Sequence, residues 1–220
     1  MYSLFLSVSA CLVLCILAIA DCVRFVTAKS LPTRSWFRQR GVTLIELLVV
    51  ITIIAILSTF ALPSFKQMWL KSVVTAETTR WQQAFSFARQ SAISLSSIVT
   101  LCPSIDGKSC AKFWHQGAIV FSDSDGNKQV STNEHILYRI TPSSDKIRLT
   151  WRAFQNRNYV QYQHNGFTWY QNGTLRLCVK GESQHYNRAL IITRSGRIRV
   201  SKDSNGDGIH EDANGVDVQC

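Results

Sequence analysis

Two long apolar runs near the N-terminus constrain this chain more than any other feature. Residues 1–20 carry no charged side chain, and residues 42–62 carry one, Glu46. A helix of about 20 apolar residues spans the ~30 Å hydrocarbon layer of a bilayer. Residues 21–41 carry five basic side chains and one acid. Such an excess of Lys and Arg predicts a cytoplasmic segment, so the chain after residue 62 is expected on the opposite side of the membrane.

The first apolar run is not typical of a cleaved secretory signal, because no basic residues precede its apolar core. Two explanations stay open. Either Met1 is not the true start of translation and this run is never made, or residues 1–20 form an additional membrane helix. Residues 21–41 are cytoplasmic in both cases.

The chain from Ser64 onward has no comparable apolar run and is expected to form one soluble domain. Apolar residues make up 46% and charged residues 17% of the chain, which excludes disorder as its main state. Residues 64–97 contain neither Pro nor Gly, and apolar side chains recur at three- and four-residue steps. This spacing predicts an amphipathic helix that continues the first one and packs on a sheet. The expected packing residues are Phe65, Met68, Trp69, Val73, Trp81, Phe85, Ala88, Ala92 and Leu95.

Short segments rich in β-branched and aromatic residues follow, and they predict an antiparallel sheet over residues 98–202. Two-residue hairpin turns are expected at Asn172–Gly173 and Ser195–Gly196. A long helix followed by antiparallel strands defines an α+β fold. The expected strands are Ile98–Leu101, Ala118–Phe121, Ile136–Ile140, Ile147–Trp151, Phe167–Tyr170, Leu175–Val179, Ala189–Thr193 and Ile198–Val200.

Residues 40–63 carry a more specific pattern, RGVTLIELLVVITIIAILSTFALP. A basic stretch ends at Gly41, an apolar helix begins at Val42, and a lone carboxylate, Glu46, lies within it. A charged side chain inside a membrane helix costs about 2.5–3.5 kcal/mol, so it usually has a partner or a function. In an arbitrary membrane helix, the alternative is a glutamate that reaches the headgroups. The whole pattern resembles the class III signal of type IV pilins and pseudopilins.

This resemblance implies that prepilin peptidase cuts between Gly41 and Val42 and that the new N-terminal residue is methylated. It also implies that Glu46 neutralises the N-terminal amine of a neighbouring subunit during filament assembly, since a buried carboxylate paired with an ammonium costs less than either alone. Residues 1–41 would be a leader, longer than most, and Val42 stands where Phe is usual. Residues 42–63 would be the membrane and assembly helix of a single-pass inner-membrane protein with a periplasmic C-terminal domain.

Cysteine usage agrees with an extracytoplasmic domain. After removal of the leader four cysteines remain, and an even number indicates two disulfides. Of the three connectivities we favour Cys102–Cys110, which closes a short loop, and Cys178–Cys220, which holds a tail that would otherwise fray. A zinc site is the competing interpretation, but no CxxC or CxxH spacing supports it. The cysteines of the leader are Cys11, Cys15 and Cys22.

The segment from Phe87 to Asp123 contains an ARxxA helix end, then V-x-L-C-P-S-x-D-G-x-x-C, then Trp, Gly and IVFxD. This order resembles the GspH/FimT family of pilin-like proteins, and the cysteine loop is closer to its FimT-like minor pilins. The resemblance covers nearly all of residues 40–200 and implies a subunit of a type IV filament. The matching residues are Ala88, Arg89, Ala92, Val99, Leu101, Cys102, Pro103, Ser104, Asp106, Gly107, Cys110, Trp114, Gly117, Ile119, Val120, Phe121 and Asp123.

Charge is unevenly distributed in the second half of the chain. Residues 139–202 carry twelve Lys and Arg against two acids, a local net charge of +10, and residues 203–220 carry five acids without Lys or Arg. In the last predicted hairpin Arg194 lies opposite Arg197, and strand alternation places Arg199 on the same face. Like charges in such positions destabilise a sheet, so they indicate an anionic ligand, and guanidinium groups bind phosphate bidentately.

In the FimT branch a C-terminal GRxR sequence is linked with DNA binding during natural transformation, and it corresponds here to Gly196, Arg197 and Arg199. The resemblance implies salt-sensitive, sequence-independent contacts to DNA phosphates. The alternative is that the arginines only protect a solvated edge strand from aggregation. Further basic residues would extend the patch, namely Lys202, Arg188 and Lys180.

The same region is interleaved with aromatic residues and followed by an acidic tail, residues 203–220. The tail is expected to screen the basic patch, especially if Cys220 holds it nearby. The aromatic residues are expected to lie mainly in the core, with base stacking as the minor alternative. They are Trp151, Phe154, Tyr159, Tyr162, Trp169, Tyr170 and Tyr186.

Two segments match half of a calcium-binding loop. Asp203, Asn205 and Asp207 fit D-x-N-x-D-G, but position twelve is Asn214 instead of Glu. The segment from Asp123 reaches Glu134 at position twelve but has Lys128 where Gly is required. For both we favour the simpler interpretation, a turn built on Asp and Asn side chains.

Five scattered histidines and the absence of hydrolase, P-loop or HExxH motifs indicate no enzymatic activity and no cofactor. We therefore predict a minor pilin or pseudopilin whose partners are other pilins, prepilin peptidase, the inner membrane and DNA. The competing function is a GspH-like pseudopilin of a type II secretion system that does not bind DNA.

Overall fold

The computed structural model describes residues 43–220. The chain divides into two compact units, residues 1–54 and 55–220. Helix α1, Leu44–Ser94, begins in the first unit and ends in the second. In the part of the first unit that the structure describes, the apolar side chains of residues 44–54 are exposed. The leader, residues 1–41, and Val42 lie outside the described residues.

Helix α1 has a bend between Thr59 and Ser64, where the sequence has Pro63. Proline has no amide hydrogen to donate to the preceding turn, which weakens the helix at this point. Among residues 43–220, no single straight helix is both long and apolar enough to cross a membrane. The two segments on either side of the 45° bend satisfy these criteria together, by length and composition only.

The second half of α1 packs through one stripe of buried side chains, as the spacing predicted, but the stripe begins later than expected. Phe65, Met68 and Leu95 are largely exposed, so their assignment to the core is wrong. Trp69 is also exposed, and the Lys146 ammonium lies 4.6 Å from its ring centroid. The buried stripe consists of Leu70, Val74, Trp81, Ala84, Phe85, Ala88 and Ala92.

The strands form two four-stranded antiparallel sheets, where the sequence predicted a single sheet. The first has the order β3-β2-β1-β5 and the second the order β4-β6-β7-β8. The α+β fold class is confirmed. The strands are β1 Val99–Pro103, β2 Ala118–Ser122, β3 Ile136–Ile140, β4 Ile147–Ala153, β5 Val160–Tyr162, β6 Gly173–Val179, β7 Arg188–Ile192 and β8 Ile198–Val200.

The predicted strand Phe167–Tyr170 and the predicted turn Asn172–Gly173 are wrong. Phe167–Tyr170 is a loop, and the strand in this region is β5, which pairs with β1. Asn172–Gly173 does not form a hairpin turn, because Gly173 already belongs to β6 and pairs with Ala153. A Cβ atom at Gly173 would lie 2.6 Å from the Trp151 ring. The glycine is therefore required for close packing, a role that a sequence pattern does not distinguish from a turn.

An aromatic cluster joins the helix to both sheets. The Phe85 ring centroid lies 6.1 Å from that of Trp114, which precedes β2 in the first sheet, and 6.0 Å from that of Trp151 in the second. Trp114 and Trp151 are 5.3 Å apart. Trp81, also in the cluster, donates its indole N–H to Glu77 Oε1 at 3.0 Å. The core of the unit 55–220 is thus centred on one helical turn.

The structure contains the two disulfides that we favoured. Cys102–Cys110 closes the short loop after β1, and Cys178–Cys220 links β6 to the acidic tail. Inside the first loop Asp106 accepts hydrogen bonds from the amides of Lys108 and Ser109, both at 2.8 Å, and these bonds lower the pKa of its carboxyl group. The Asp106 carboxylate is thus satisfied by hydrogen bonds from within the loop.

Two phenylalanines of α1 provide a matched test of the core. Phe85→Ala is expected to lower the free energy of unfolding by about 3–5 kcal/mol, because it leaves a cavity inside the cluster. Phe87→Ala removes the same atoms from a side chain that is 39% exposed. It should cost less than about 1.5 kcal/mol, the contribution of one aromatic pair. Urea unfolding of the full chain in detergent measures both, and equal losses would contradict the core assignment of Phe85.

Candidate functional site

The β7–β8 hairpin has a three-residue loop, Arg194–Gly196, where we predicted a two-residue turn. The Gly196 amide donates to the Thr193 carbonyl at 2.9 Å, and the Thr193 amide donates to the Arg197 carbonyl at 3.0 Å. Gly196 has φ +75°, the left-handed conformation that closes this kind of loop. Arg197 therefore faces Thr193, and the prediction that it lies opposite Arg194 is wrong.

Two of the three predicted arginines share a face of the sheet. Ile198 and Val200 pack against the core, so alternation places Arg197 and Arg199 on the opposite, solvent-facing side of β8. Arg194 lies in the turn instead, and its guanidinium carbon is 4.5 Å from the Tyr170 ring centroid. The predicted pairing of Arg194 with Arg197 across the hairpin is therefore absent, and Arg194 stacks on an aromatic ring instead.

Helix α1 holds the tip of this hairpin through Arg89. The Arg89 guanidinium donates from Nε to the Gly166 carbonyl at 3.1 Å and from Nη2 to the Ser195 carbonyl at 3.2 Å. A Cβ atom at Gly196 would lie 1.9 Å from the Gly166 oxygen. Gly196 is therefore required for close packing, and its predicted part in binding DNA stays a prediction. The sequence pattern included Arg89 without assigning it this anchoring role.

The acidic tail lies against the same sheet as the arginines. Asp212 forms a salt bridge of 3.0 Å with Arg176 on β6, whose other terminal nitrogen donates to the Gln219 carbonyl at 3.1 Å. Asn187 donates to the Val218 carbonyl at 2.9 Å. Backbone pairing between Lys202 and Glu211 turns the chain back on itself. Together with the Cys178–Cys220 disulfide, these contacts fix the tail beside β8.

A groove of about 960 Å³ separates β8 from the tail. Its lining includes three basic residues, Arg197, Arg199 and Lys202, and two acidic residues, Glu211 and Asp212. The arginines are thus accessible from a groove that acidic residues of the tail also line, and screening of the patch by the tail stays a prediction.

Arg188 does not belong to this surface. It shares the core-facing side of β7 with Leu190 and Ile192, it is half-buried, and burial lowers its pKa. Its guanidinium donates to the carbonyls of His185 and Asn187 at 2.9 and 2.7 Å. The expectation that Arg188 extends the basic patch is wrong. Lys180 is exposed beyond the end of β6.

The predicted aromatic residues divide between the core and the surface. Tyr162 and Tyr186 are buried, Trp151 and Tyr159 are partly buried against the core, and burial raises the pKa of the Tyr162 hydroxyl. The core assignment is wrong for the others, which are exposed: Phe154, Trp169 and Tyr170.

The two calcium-like segments form compact carboxylate clusters. Carboxylate oxygens of Asp203, Asp207 and Glu211 lie within 4.8 Å of one another, and Glu211 was not in the predicted set. Asp203 accepts from the amides of Gly206 and Gly208 at 2.7 and 2.8 Å. The Ile209 amide donates to Asp207 and lowers its pKa. The second cluster comprises Asp123, Asp125 and Glu134. Backbone amides account for the tail loop as a turn built on Asp side chains.

At the other end of the described chain, Glu46 lies in the first turn of α1 and is exposed. Its amide donates to the Thr43 hydroxyl oxygen at 3.3 Å, so Thr43 caps the helix. Its carboxylate is exposed among residues 43–220, and its role in filament assembly stays a prediction.

Comparisons with known proteins agree with these features. Residues 77–196 match the family described as "Type II transport protein GspH", and residues 36–62 match the "Prokaryotic N-terminal methylation motif". No curated protein matches. Two crystal structures of the type IV minor pilin FimU from Pseudomonas aeruginosa PAO1 are similar, at 17% and 16% identity, over 62% of this chain and 91% and 92% of theirs. Their TM-scores of 0.43 and 0.38 are too low to inform the function.

A methylation motif, a long helix and antiparallel sheets packed on its second half define a pilin-like filament subunit. The chain belongs to the GspH family, since the match covers more than half of its residues. It is a minor pilin or pseudopilin of a type IV filament system, and it assembles with other pilins in a filament. Proteins of this kind are structural subunits.

Two glycines test the close approach at the hairpin tip. Gly196→Ala and Gly181→Ala each place an alanine at φ +75°, which costs about 1–2 kcal/mol. Only the first also clashes with a backbone oxygen, since no atom lies within 4 Å of a Cβ at Gly181. Gly196→Ala is therefore expected to lower the midpoint of thermal unfolding further than Gly181→Ala. Equal midpoints would show that the hairpin tip is not packed against Gly166.

Proposed function

We propose that this chain is a FimT-like minor pilin that captures DNA through the β7–β8 hairpin during DNA uptake. The proposal rests on one observation, the exposure of the unpaired guanidinium groups of Arg197 and Arg199. Arg197 lies one residue before the edge strand β8 and Arg199 lies on it, both are exposed, and neither guanidinium group has a hydrogen-bond or ion-pair partner within residues 43–220.

Phosphate is the ligand that fits this arrangement best. Arg197 and Arg199 are separated by about 6.8 Å along the strand, the rise of two residues. Unpaired guanidinium groups in a region of net charge +10 attract a polyanion. Contacts to phosphate carry no sequence information, so binding would be non-specific and would weaken steeply with salt. Lys202 lines the same groove as the two arginines and adds a third cation.

The competing function is a pseudopilin of a type II secretion system without DNA binding. The description of the matching family favours it. In that case Arg197 and Arg199 would only discourage edge-to-edge pairing of β8, which lies at the margin of its sheet.

Titration of labelled duplex DNA at several salt concentrations tests DNA capture. The full chain in detergent, with disulfides intact, is compared with Arg197→Gln/Arg199→Gln. Loss of two phosphate contacts should reduce the slope of log affinity against log salt by about 1.8. Affinity at low salt should fall at least ~10-fold, because a hydrogen bond to a charged group contributes about 1.5 kcal/mol or more.

The matched control is Lys108→Gln/Lys112→Gln, which removes the same net charge from two exposed lysines between β1 and β2. It should bind as tightly as the unchanged chain if the hairpin is the site. Absence of binding at low salt would favour the secretion pseudopilin. Equal losses in both double variants would mean that only overall charge matters.

We also propose that prepilin peptidase cuts between Gly41 and Val42 and that Val42 is methylated. The mature chain would then be held in the inner membrane with its sheets in the periplasm. The methylation motif over residues 36–62 and the exposed Glu46 support this.

The mass of the protein from cells with active peptidase should correspond to residues 42–220 plus one methyl group. Glu46→Gln should be cleaved normally but excluded from purified filaments. An uncut chain would contradict the proposal.

A further inference from the structure

The loop between β5 and β6 exposes three aromatic side chains beside the hairpin. Phe167, Trp169 and Tyr170 are 46%, 56% and 49% exposed. Large apolar rings in a folded domain are usually buried, as Trp81 and Phe85 are here. Three exposed rings within four residues therefore require an explanation other than the core of this chain.

The backbone of this loop is fixed by buried contacts. Thr168 is fully buried, its amide donates to the Arg194 carbonyl at 3.0 Å, and its hydroxyl donates to the Thr193 carbonyl at 3.0 Å. Gln171 is also buried, and its side-chain oxygen accepts from the Gln161 amide at 2.7 Å. The rings are thus presented outward from a loop that is bonded to the hairpin.

Trp169 is held in an unfavourable backbone conformation. Its φ of +53° lies in the left-handed region, where bulky residues are rare. Such conformations persist where the surrounding structure imposes them, and they cluster at ligand-binding sites. The buried neighbours on either side, Thr168 and Gln171, supply that constraint here.

Cationic groups lie directly beside these rings. The Arg194 guanidinium is 4.5 Å from the Tyr170 ring centroid, and the Trp169 ring is 6.4 Å from that of Tyr170. Strand β8, with Arg197 and Arg199, leaves the same turn. Exposed aromatic faces next to a basic track are the combination that proteins use to bind single-stranded nucleic acid, with bases on the rings and phosphates on the cations.

We propose that Trp169 and Tyr170 form a stacking platform for unpaired bases, while Arg194, Arg197 and Arg199 hold the adjoining phosphates. This inference rests on the proposed DNA capture and adds to it a preference for DNA with accessible bases. In a duplex the base faces are stacked on each other and the rings cannot reach them. The local excess of positive charge favours a nucleic acid over a second pilin subunit as the occupant.

Oligothymidine and an abasic oligonucleotide of the same length test the platform, because they carry equal charge and differ only in the bases. The full chain in detergent should bind oligothymidine more tightly by about 5- to 150-fold, the range for one stacked base. Trp169→Ala should lose most of this difference without changing the salt dependence. Trp169→Phe should retain most of it, which separates stacking from a folding defect.

Two further variants keep the platform and the hairpin distinguishable. Phe113→Ala, which removes an exposed ring between β1 and β2, should leave the base preference unchanged. Arg197→Gln/Arg199→Gln should weaken binding to both oligonucleotides alike.

An equal affinity of the unchanged chain for the two oligonucleotides would overturn the platform and leave DNA capture intact. A base preference that survives Trp169→Ala, or falls equally in Phe113→Ala, would also overturn it. Failure to bind any DNA would overturn the proposed function as well. Loss of filament incorporation in Trp169→Ala with unchanged DNA binding would identify a pilin as the occupant instead.

Discussion

The packing of one turn of helix α1 against two tryptophans is the interaction on which the rest of the structure depends. Phe85 contacts the rings of Trp114, which precedes β2 of the first sheet, and of Trp151, which lies on β4 of the second sheet. Within residues 43–220 the two sheets do not share a strand, so no pairing of strands joins them. The helix and its aromatic neighbours provide that connection, and burial of these large rings supplies much of its free energy.

The candidate site is held in place by hydrogen bonds from the same helix. Arg89 follows Phe85 by one turn, and it bonds to the carbonyl groups of Gly166 and Ser195. Gly166 belongs to the loop between β5 and β6, and Ser195 belongs to the tip of the β7–β8 hairpin. A single guanidinium group therefore fixes the backbone of the two surface segments relative to the core, so that the tip needs little backbone ordering when a ligand binds.

The sequence predicted the helix and seven of the eight strands of the described residues, because periodicity and β-branched runs are strong local signals. An even number of cysteines indicated two disulfides, and the pairing that we favoured among three is the one in the structure. Strand β5 was missed because Val160–Tyr162 is too short to show alternation. The register of the last hairpin was wrong by one residue, since Gly196 can close either a two- or a three-residue loop and only the close approach to Gly166 decides between them. The exposure of Trp169 depends on buried contacts at Thr168, which no pattern encodes.

The Cys178–Cys220 disulfide makes one covalent ring of everything from the end of β6 through the hairpin and the tail. A protease that cuts one peptide bond inside this ring cannot release a fragment, because both ends of the cut remain attached through the sulfur atoms. The exposed tail loops, including those at Gly206 and Gly215, are the natural sites of such nicks. The arginine-bearing surface would therefore stay attached to the chain after a single cut in the tail.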